Sequence, residues 1–389
     1  MWLLVKNPGV VLLILLITLF TACKKAEPSV DEEEIVLPRL QPKQEVNLDN
    51  KIGQMLMVGF RGTAVHEQGV QDIVRDIKQF HLGGVILYDY DVPSQSPIRN
   101  IQSPQQVKTL VEQLQAVSSI PLLIAIDQEG GKIQRLNEKF GFPPTVSAQY
   151  LGKHHPDMTD KHASEIANTL AVLGINFNFA PVVDLNINPN NPIIGKSERS
   201  FSAVPNIVTE HALAFVEAHR QYGVLCALKH FPGHGSSADD SHLGLADVTD
   251  TWQAIELEPY RHLINAGVVD AIMTAHVFNK ALDPEYPATL SKRIITGTLR
   301  EKLGYHGVIV SDDMQMKAIA HHYDFKSAIL AAINAGIDIL VLGNNVGEYE
   351  EDIAARTFAV IQQLIDEGKL SQERIDESYH RIQALKHKL

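Results

Sequence analysis

Eight short apolar runs are the feature that most constrains how this chain can fold. They occupy residues 53–60, 84–88, 122–127, 176–184, 223–230, 271–276, 307–312 and 337–342. Each run is apolar nearly throughout rather than alternating with polar residues, as expected of parallel strands that are covered on both faces. Amphipathic stretches separate the runs, at 105–117, 159–173, 207–222, 252–266, 292–303 and 326–335, and several are followed by glycine, which commonly ends helices.

Eight strand–helix units in a row predict a closed barrel. The expected fold class is therefore α/β, a (β/α)8 TIM-barrel-like single domain. The last amphipathic stretches, 349–367 and 371–388, predict two helices that cover the outside of the barrel. They leave no residues for a second domain.

The first residues predict export and a lipid anchor. Lys6 precedes an apolar run at 9–20, which is shorter than the roughly 20 residues that a membrane helix needs, so a signal peptide is favoured. Thr21 and Ala22 then lead into Cys23, which resembles the lipobox of bacterial lipoproteins, although Phe20 stands where leucine is more common. We expect a signal peptide over 1–22 and a diacylglycerol on Cys23. An ordinary secreted protein is the alternative.

The next segment predicts a tether. Residues 23–47 are rich in Glu, Asp, Lys, Pro and Gln, with four consecutive acids at 31–34, so they should stay disordered and solvated. The barrel domain is expected to span 48–389. The product would be an exported, membrane-anchored lipoprotein on the periplasmic face of the outer membrane or at the cell surface.

The net charge and the cysteine content limit which binding partners and disulfide bonds are expected. The net charge of −12 argues against nucleic acid and against electrostatic attachment to anionic lipid, so the expected membrane contact is the N-terminal lipid. Of the two cysteines, only Cys226 lies in the barrel, within an apolar run. It is expected to be a buried thiol without a disulfide partner. We expect a monomer.

Polar residues gather where the predicted strands end. These positions hold Asp127, Asp184, Lys229, His230, His276, Asp312 and Asp313. Active sites of such barrels form at the carboxyl ends of the strands and in the loops that follow. The pattern therefore predicts a functional site at that end of the barrel.

Histidines cluster in the stretch 229–242. Three of them, His230, His234 and His242, raise a metal site as one hypothesis, but their spacing matches no helical i, i+4 pair and no HExxH pattern. The other hypothesis is that Asp240 orients His242 and keeps it protonated enough to act as an acid. We expect no metal. For an isolated Asp-x-His, two solvated loop residues are the safer interpretation, so the residues alone leave the second hypothesis open.

Five segments resemble one family. They are Lys229-His-Phe-Pro-Gly-His-Gly235 with Asp240-Ser-His242, residues 126–135, residues 178–184, Glu198-Arg199-Ser200-Phe201 and residues 310–316. Together they resemble family 3 glycoside hydrolases of the bacterial β-N-acetylglucosaminidase (β-hexosaminidase) type, and they follow that family's order along most of the folded chain. Small departures are Lys132 and Ile133, where the family often has Arg and Val.

The resemblance implies a catalytic domain and roles for single residues. Asp312 is the expected nucleophile, although the residues alone would allow either Asp312 or Asp313. His242 is the expected acid/base, assisted by Asp240. The expected sugar-binding residues are Asp127, Arg135, Arg199, Lys229 and His230. The roles of Asp184, His234 and His276 stay open, and no cofactor is expected.

The resemblance also implies an activity. It is a retaining exo-β-N-acetylglucosaminidase that hydrolyses terminal β-linked N-acetylglucosamine from peptidoglycan fragments, chitooligosaccharides or other glycans through a glycosyl-enzyme on Asp312. The alternatives are a β-N-acetylglucosaminide phosphorylase, a β-glucosidase of the same family, a metal-dependent hydrolase and an inactive glycan-binding lipoprotein. Similar single-domain enzymes of Gram-negative bacteria are often cytoplasmic, whereas this chain is expected to be exported.

Overall fold

The computed structural model describes residues 46–239 and 244–389. The predicted signal peptide, Cys23 and almost all of the predicted tether lie outside the described residues, as do Asp240 and His242. Val46–Leu389 forms one compact unit.

Eight parallel strands form a closed barrel. They are β1 (Leu56–Gly59), β2 (Gly84–Leu87), β3 (Leu123–Ile126), β4 (Phe177–Asn178), β5 (Leu225–Phe231), β6 (Ala271–Thr274), β7 (Val308–Val310) and β8 (Leu340–Leu342). Each strand pairs with the next in the chain, and β8 pairs with β1. A parallel bridge between Val310 and Ile339 joins β7 to the start of β8 and closes the ring. The predicted (β/α)8 barrel is confirmed.

Helices connect the strands and cover the barrel. They are α1 (Leu48–Gln54), α2 (Gln68–Phe80), α3 (Pro104–Val117), α4 (Ala148–Leu151), α5 (Pro156–Leu173), α6 (Pro205–Gln221), α7 (Glu258–Asn265), a π-helix (Arg293–Lys302), α8 (Lys317–Ala320), α9 (Phe325–Ala335), α10 (Ile353–Asp366) and α11 (Gln372–Lys386). Short 3₁₀ turns lie at Glu138–Phe140, Ala254–Leu257 and Ala288–Leu290. Among the helices of residues 46–239 and 244–389, none has the length and apolar composition that a membrane span requires.

The apolar runs explain the core. All residues of β3 and β6 are buried, because the barrel interior covers one face of each strand and the helices cover the other. Helix α2 buries Val70, Ile73 and Ile77, whose spacing puts them on the face toward the barrel. Cys226 in β5 is a buried thiol, and burial raises its pKa well above the usual value, so this prediction is confirmed.

Small strand pairs shape the mouth of the barrel. Gln128–Gly130 pairs antiparallel with Ile133–Gln134 directly after β3, and Ala246–Asp247 pairs parallel with Val277–Phe278. The Gln128 side chain accepts hydrogen bonds from the backbone N–H groups of Arg135 and Leu136, at 2.9 and 3.0 Å. This brings Arg135 back over the end of β3.

Candidate active site

A polar cavity opens at the carboxyl ends of the strands. It has a volume of about 420 Å³, which is within the range of about 300–1,000 Å³ that is typical of small-molecule sites. All six predicted site residues that the structure describes line it: Asp127, Arg135, Arg199, Lys229, His230 and Asp312. The structure therefore brings together residues that are up to 185 positions apart, from Asp127 to Asp312.

Lys229 joins two carboxylates that follow β3. Its Nζ donates to Oδ1 of Asp127 at 2.7 Å and lies 2.7 Å from Oε1 of Glu129. The Lys229 side chain is almost fully buried, whereas Asp127 stays partly exposed to the cavity. Asn178 in β4 fixes the intervening Gln128, because its side chain accepts from the Gln128 N–H and donates to the Gln128 carbonyl, both at 3.0 Å.

Arg199 binds both carboxylate oxygens of Glu129 through the Nε–Nη2 edge of its guanidinium. Its Nε donates to Oε2 at 2.8 Å and its Nη2 donates to Oε1 at 2.7 Å. Burial alone would raise the pKa of Glu129, but Arg199 and Lys229 outweigh burial and hold that pKa below its usual value. Glu129 is therefore a buried carboxylate between two cations, and it fixes the position of both.

Asp184 and Arg199 contact the two ring nitrogens of His230. The His230 Nδ1 lies 2.7 Å from Oδ2 of Asp184, and its Nε2 lies 3.2 Å from Nη2 of Arg199. Oδ1 of Asp184 also accepts from the His234 N–H at 2.9 Å. Burial lowers the pKa of His234 to about 4, against the opposing effect of Asp184. Asp184 thus positions His230 and the start of the loop that leads to Asp240.

The two consecutive aspartates after β7 differ in their surroundings. Asp312 is partly exposed at the cavity, and its Oδ1 accepts from the Asp313 N–H at 2.8 Å. Asp313 is buried, and its Oδ1 accepts from the N–H groups of Gln315 and Gly343, each at 3.0 Å. Nε2 of His276 lies 2.9 Å from the Asp313 carbonyl oxygen. Asp312 is thus the aspartate more open to a substrate, while Asp313 braces the loop.

Arg135 reaches the cavity from the short strand pair. Its guanidinium nitrogens lie 3.7 Å from carboxylate oxygens of Asp89 and Asp127, and its Cζ is 5.7 Å from the centroid of the Tyr88 ring. Its side chain is 29% exposed, whereas those of the other predicted sugar-binding residues are between 2% and 16% exposed: Asp127, Arg199, Lys229 and His230. Arg135 is therefore the cation best placed to contact a bound molecule.

Sequence reasoning missed several members of this site, and Glu129 and Tyr88 are two of them. Glu129 lies inside the motif 126–135, but its contacts with Arg199 and Lys229 come from positions 70 and 100 residues away. Tyr88 follows β2 directly and lines the cavity. Its position at a strand end was the available signal, because the same rule identified Asp127 and Lys229.

The cluster offers donors and acceptors suited to hydroxyl groups, next to an accessible carboxylate. Within the described parts of the chain, no group of three or more His, Cys, Asp and Glu side chains has the arrangement of a metal site. A carboxylate facing a sugar can stabilise positive charge at the anomeric carbon and can form a covalent ester there. The geometry therefore suits nucleophilic chemistry by Asp312 on a hydroxyl-rich molecule such as a carbohydrate.

Comparisons with known proteins point to one family. Residues 47–385 match the model of the glycosyl hydrolase family 3 N-terminal domain. β-Hexosaminidase A of Pseudoalteromonas piscicida is 36% identical over 375 residues, covering 87% of this chain and 60% of that protein. The β-hexosaminidase of Tolumonas auensis is 38% identical over 268 residues, covering 68% of this chain and 76% of that protein.

Solved structures agree. A family 3 β-N-acetylglucosaminidase from a Paenibacillus species has a TM-score of 0.78 at 35% identity, covering 88% of this chain and 62% of that chain. The β-N-acetylhexosaminidase of Beutenbergia cavernae has a TM-score of 0.78 at 28% identity, covering 88% of this chain and 99% of that chain. The chain thus spans less than two thirds of the Pseudoalteromonas and Paenibacillus proteins and nearly all of the Beutenbergia protein. On the family match over nearly the whole described chain, this protein belongs to glycosyl hydrolase family 3.

Proposed function

We propose that this chain is a β-hexosaminidase that removes terminal β-linked N-acetylglucosamine from the non-reducing end of a glycan. The observation that carries the proposal is the common cavity of Asp312 and the Asp127–Lys229–Glu129–Arg199 cluster. The names of the relatives support the choice of sugar, since they are β-hexosaminidases and β-N-acetylglucosaminidases. The partner is therefore a glycan that contains N-acetylglucosamine.

The proposed reaction is a double displacement. Asp312 attacks the anomeric carbon as the bond to the leaving oxygen breaks, and a covalent glycosyl-enzyme forms. Water then attacks the same carbon, Asp312 leaves, and the β configuration is retained. Asp127, Arg135, Arg199, Lys229 and His230 are the proposed sugar-binding residues. Beside them, Glu129 and Asp184 act as positioning residues, because they hold Arg199 and His230 in place.

His242 is the proposed acid/base, with Asp240 as its orienting carboxylate. Both lie outside the described residues, but the segment before them is well anchored. The Asn188 side chain donates to the Ser237 carbonyl at 2.9 Å, and the Asn191 side chain donates to the His234 carbonyl at 2.7 Å. An imidazole titrates near neutrality, so it can give a proton to the leaving oxygen and later accept one from water.

The natural substrates proposed are peptidoglycan fragments and chitooligosaccharides, cleaved by hydrolysis without a cofactor. Phosphorolysis is the second candidate, because a neutral imidazole repels an incoming phosphate less than a carboxylate does. We also propose that the protein is an exported lipoprotein, cleaved before Cys23 and anchored through a lipid on that residue. Metabolic labelling with a radioactive fatty acid should mark the wild-type chain and leave Cys23→Ser unlabelled.

The activity is tested with chromogenic glycosides. Wild type should release 4-nitrophenol from the β-N-acetylglucosaminide and much less from the β-glucoside, with unchanged rates in the presence of a chelator. Asp312→Asn should abolish release, whereas Asp366→Asn, at an exposed position in α10, should leave it intact. Phosphate-dependent release would favour the phosphorylase. A folded wild type that cleaves neither glycoside would overturn the proposal in favour of a glycan-binding protein.

A further inference from the structure

A second, apolar groove adjoins the polar cavity. It has a volume of about 830 Å³ and is lined by side chains from the loops after β2, β7 and β8. The apolar members that matter here are Val92, Met314, Tyr323, Phe325 and Val346. Val92 and Val346 line both the groove and the cavity, so the two spaces share a wall.

The rim of this groove exposes apolar side chains. Val92, which lines the groove, is 50% exposed, and Tyr90 on the same loop after β2 lines the adjoining cavity and is 39% exposed. Large apolar residues that stay exposed beside a binding cavity commonly mark a surface that contacts a ligand. The groove thus continues the candidate site with a surface of different chemistry.

The charged side chains that line the groove balance in number, with Lys317 and Arg356 against Glu348 and Glu350. Arg356 pairs with Glu350, and its Cζ lies 3.8 Å above the centroid of the Phe325 ring. A cation that is already paired with a carboxylate and stacked on a ring has little attraction left for an anionic ligand. The groove is therefore suited to an apolar group rather than to a phosphate or a carboxylate.

The position of the groove relative to Asp312 indicates which part of a substrate would occupy it. The charged cluster comes from β5 and from the loops after β3 and β4, whereas the groove follows β2, β7 and β8. The hydroxyls on C3 and C4 of a pyranose lie at the end of the ring away from C1. A sugar whose hydroxyls contact the cluster and whose C1 contacts Asp312 would therefore place its anomeric end at the β7–β8 side of the cavity, next to the wall that the cavity shares with the groove.

We propose that this groove binds the leaving-group side of the substrate and selects glycosides whose aglycone carries an apolar chain or ring. This inference rests on the proposed glycosidase activity and adds the class of aglycone to it. Each methylene that leaves water for an apolar surface contributes about a fourfold gain in binding. Contact with two or three methylenes would therefore raise kcat/KM more than about tenfold.

The test compares octyl and methyl β-N-acetylglucosaminide, with the octyl compound kept below its micelle concentration. Both leaving groups are primary alkanols of similar basicity, so a difference in kcat/KM reports contact with the chain. Wild type should prefer the octyl glycoside at least tenfold. Val92→Asn and Tyr323→Ala should each reduce this preference severalfold. Ile98→Asn is the matched control, because Ile98 is on the same loop and 36% exposed but lines neither space.

The outcomes separate the two proposals. Equal kcat/KM for the two alkyl glycosides in a wild type that cleaves the 4-nitrophenyl substrate would overturn the groove proposal and leave the activity standing. An octyl preference that survives both groove variants would also overturn it. Failure to cleave all three glycosides would instead overturn the proposed activity, and the groove proposal with it.

Discussion

Glu129→Gln should destabilise the protein far more than an ordinary loss of an ion pair. The variant keeps the shape of the side chain but removes the only negative charge that contacts both Arg199 and Lys229 among the described residues. The three side chains are between 2% and 9% exposed, so water screens the remaining cations poorly. Removing one partner of a buried ion pair typically costs about 3–5 kcal/mol, and we expect a loss of that size in the free energy of unfolding.

The assay is urea unfolding at pH 7, followed by circular dichroism. Glu258→Gln is the matched control, since Glu258 also pairs with an arginine, Arg261, but both side chains are at least 30% exposed. That variant should cost at most about 1 kcal/mol. Equal losses for Glu129→Gln and Glu258→Gln would refute the reasoning that burial makes the Glu129 cluster sensitive.

Wild type and Glu129→Gln should also differ in how their stability depends on pH. The folded-state pKa of Glu129 lies below the unfolded value of 4.5, so the ionised carboxylate contributes stability above pH 4.5. This contribution is lost as the pH falls from 4.5 through the lowered folded pKa, because the unfolded chain then binds the proton more readily. The stability difference between wild type and Glu129→Gln should therefore shrink between pH 5 and pH 3, and a difference that grows there would contradict the assignment.

Two further predictions follow from close packing and from burial. In Gly343→Ala, the added Cβ would lie 2.4 Å from Oδ2 of Asp313 and 2.6 Å from the Tyr88 hydroxyl oxygen. We therefore expect kcat to fall about a hundredfold while the circular dichroism spectrum stays unchanged. A normal kcat would show that the loop adapts to the added methyl group. Burial lowers the pKa of Lys386 from 10.5 to about 7. The stability of wild type relative to Lys386→Met, measured by urea unfolding, should therefore rise between pH 7 and pH 10.5. A stability difference that stays flat or falls over this range would contradict the shift.

The barrel could be predicted because its strands are buried on both faces. Such strands appear as continuous apolar runs, and each of the eight runs overlaps one strand of the barrel. The residues at which the strands and helices begin and end were less predictable. The run 176–184 forms a strand only at Phe177–Asn178, since Pro181 has no N–H to continue the ladder of hydrogen bonds. The stretch 252–266 divides at Glu258, because Pro259 fits the first turn of α7 but not a helix interior.

The site was predictable where chemistry coincides with a strand end. Asp127, Lys229 and Asp312 follow that rule, and the family resemblance selected among them. Glu129 could not be assigned in the same way, because its role depends on two cations from distant loops that meet only in the folded barrel. The difference between Asp312 and Asp313 likewise depends on which carboxylate accepts the backbone N–H of Gly343, directly after β8.

The most direct test of the account is to locate the covalent intermediate. The protein is mixed with an activated aryl β-N-acetylglucosaminide, quenched in acid within the first turnovers, digested, and analysed by tandem mass spectrometry. We expect one N-acetylglucosaminyl group esterified to Asp312 in the wild type, and none on any peptide of Asp312→Asn. A sugar attached to Asp313, or steady turnover with inverted configuration and no adduct, would contradict it.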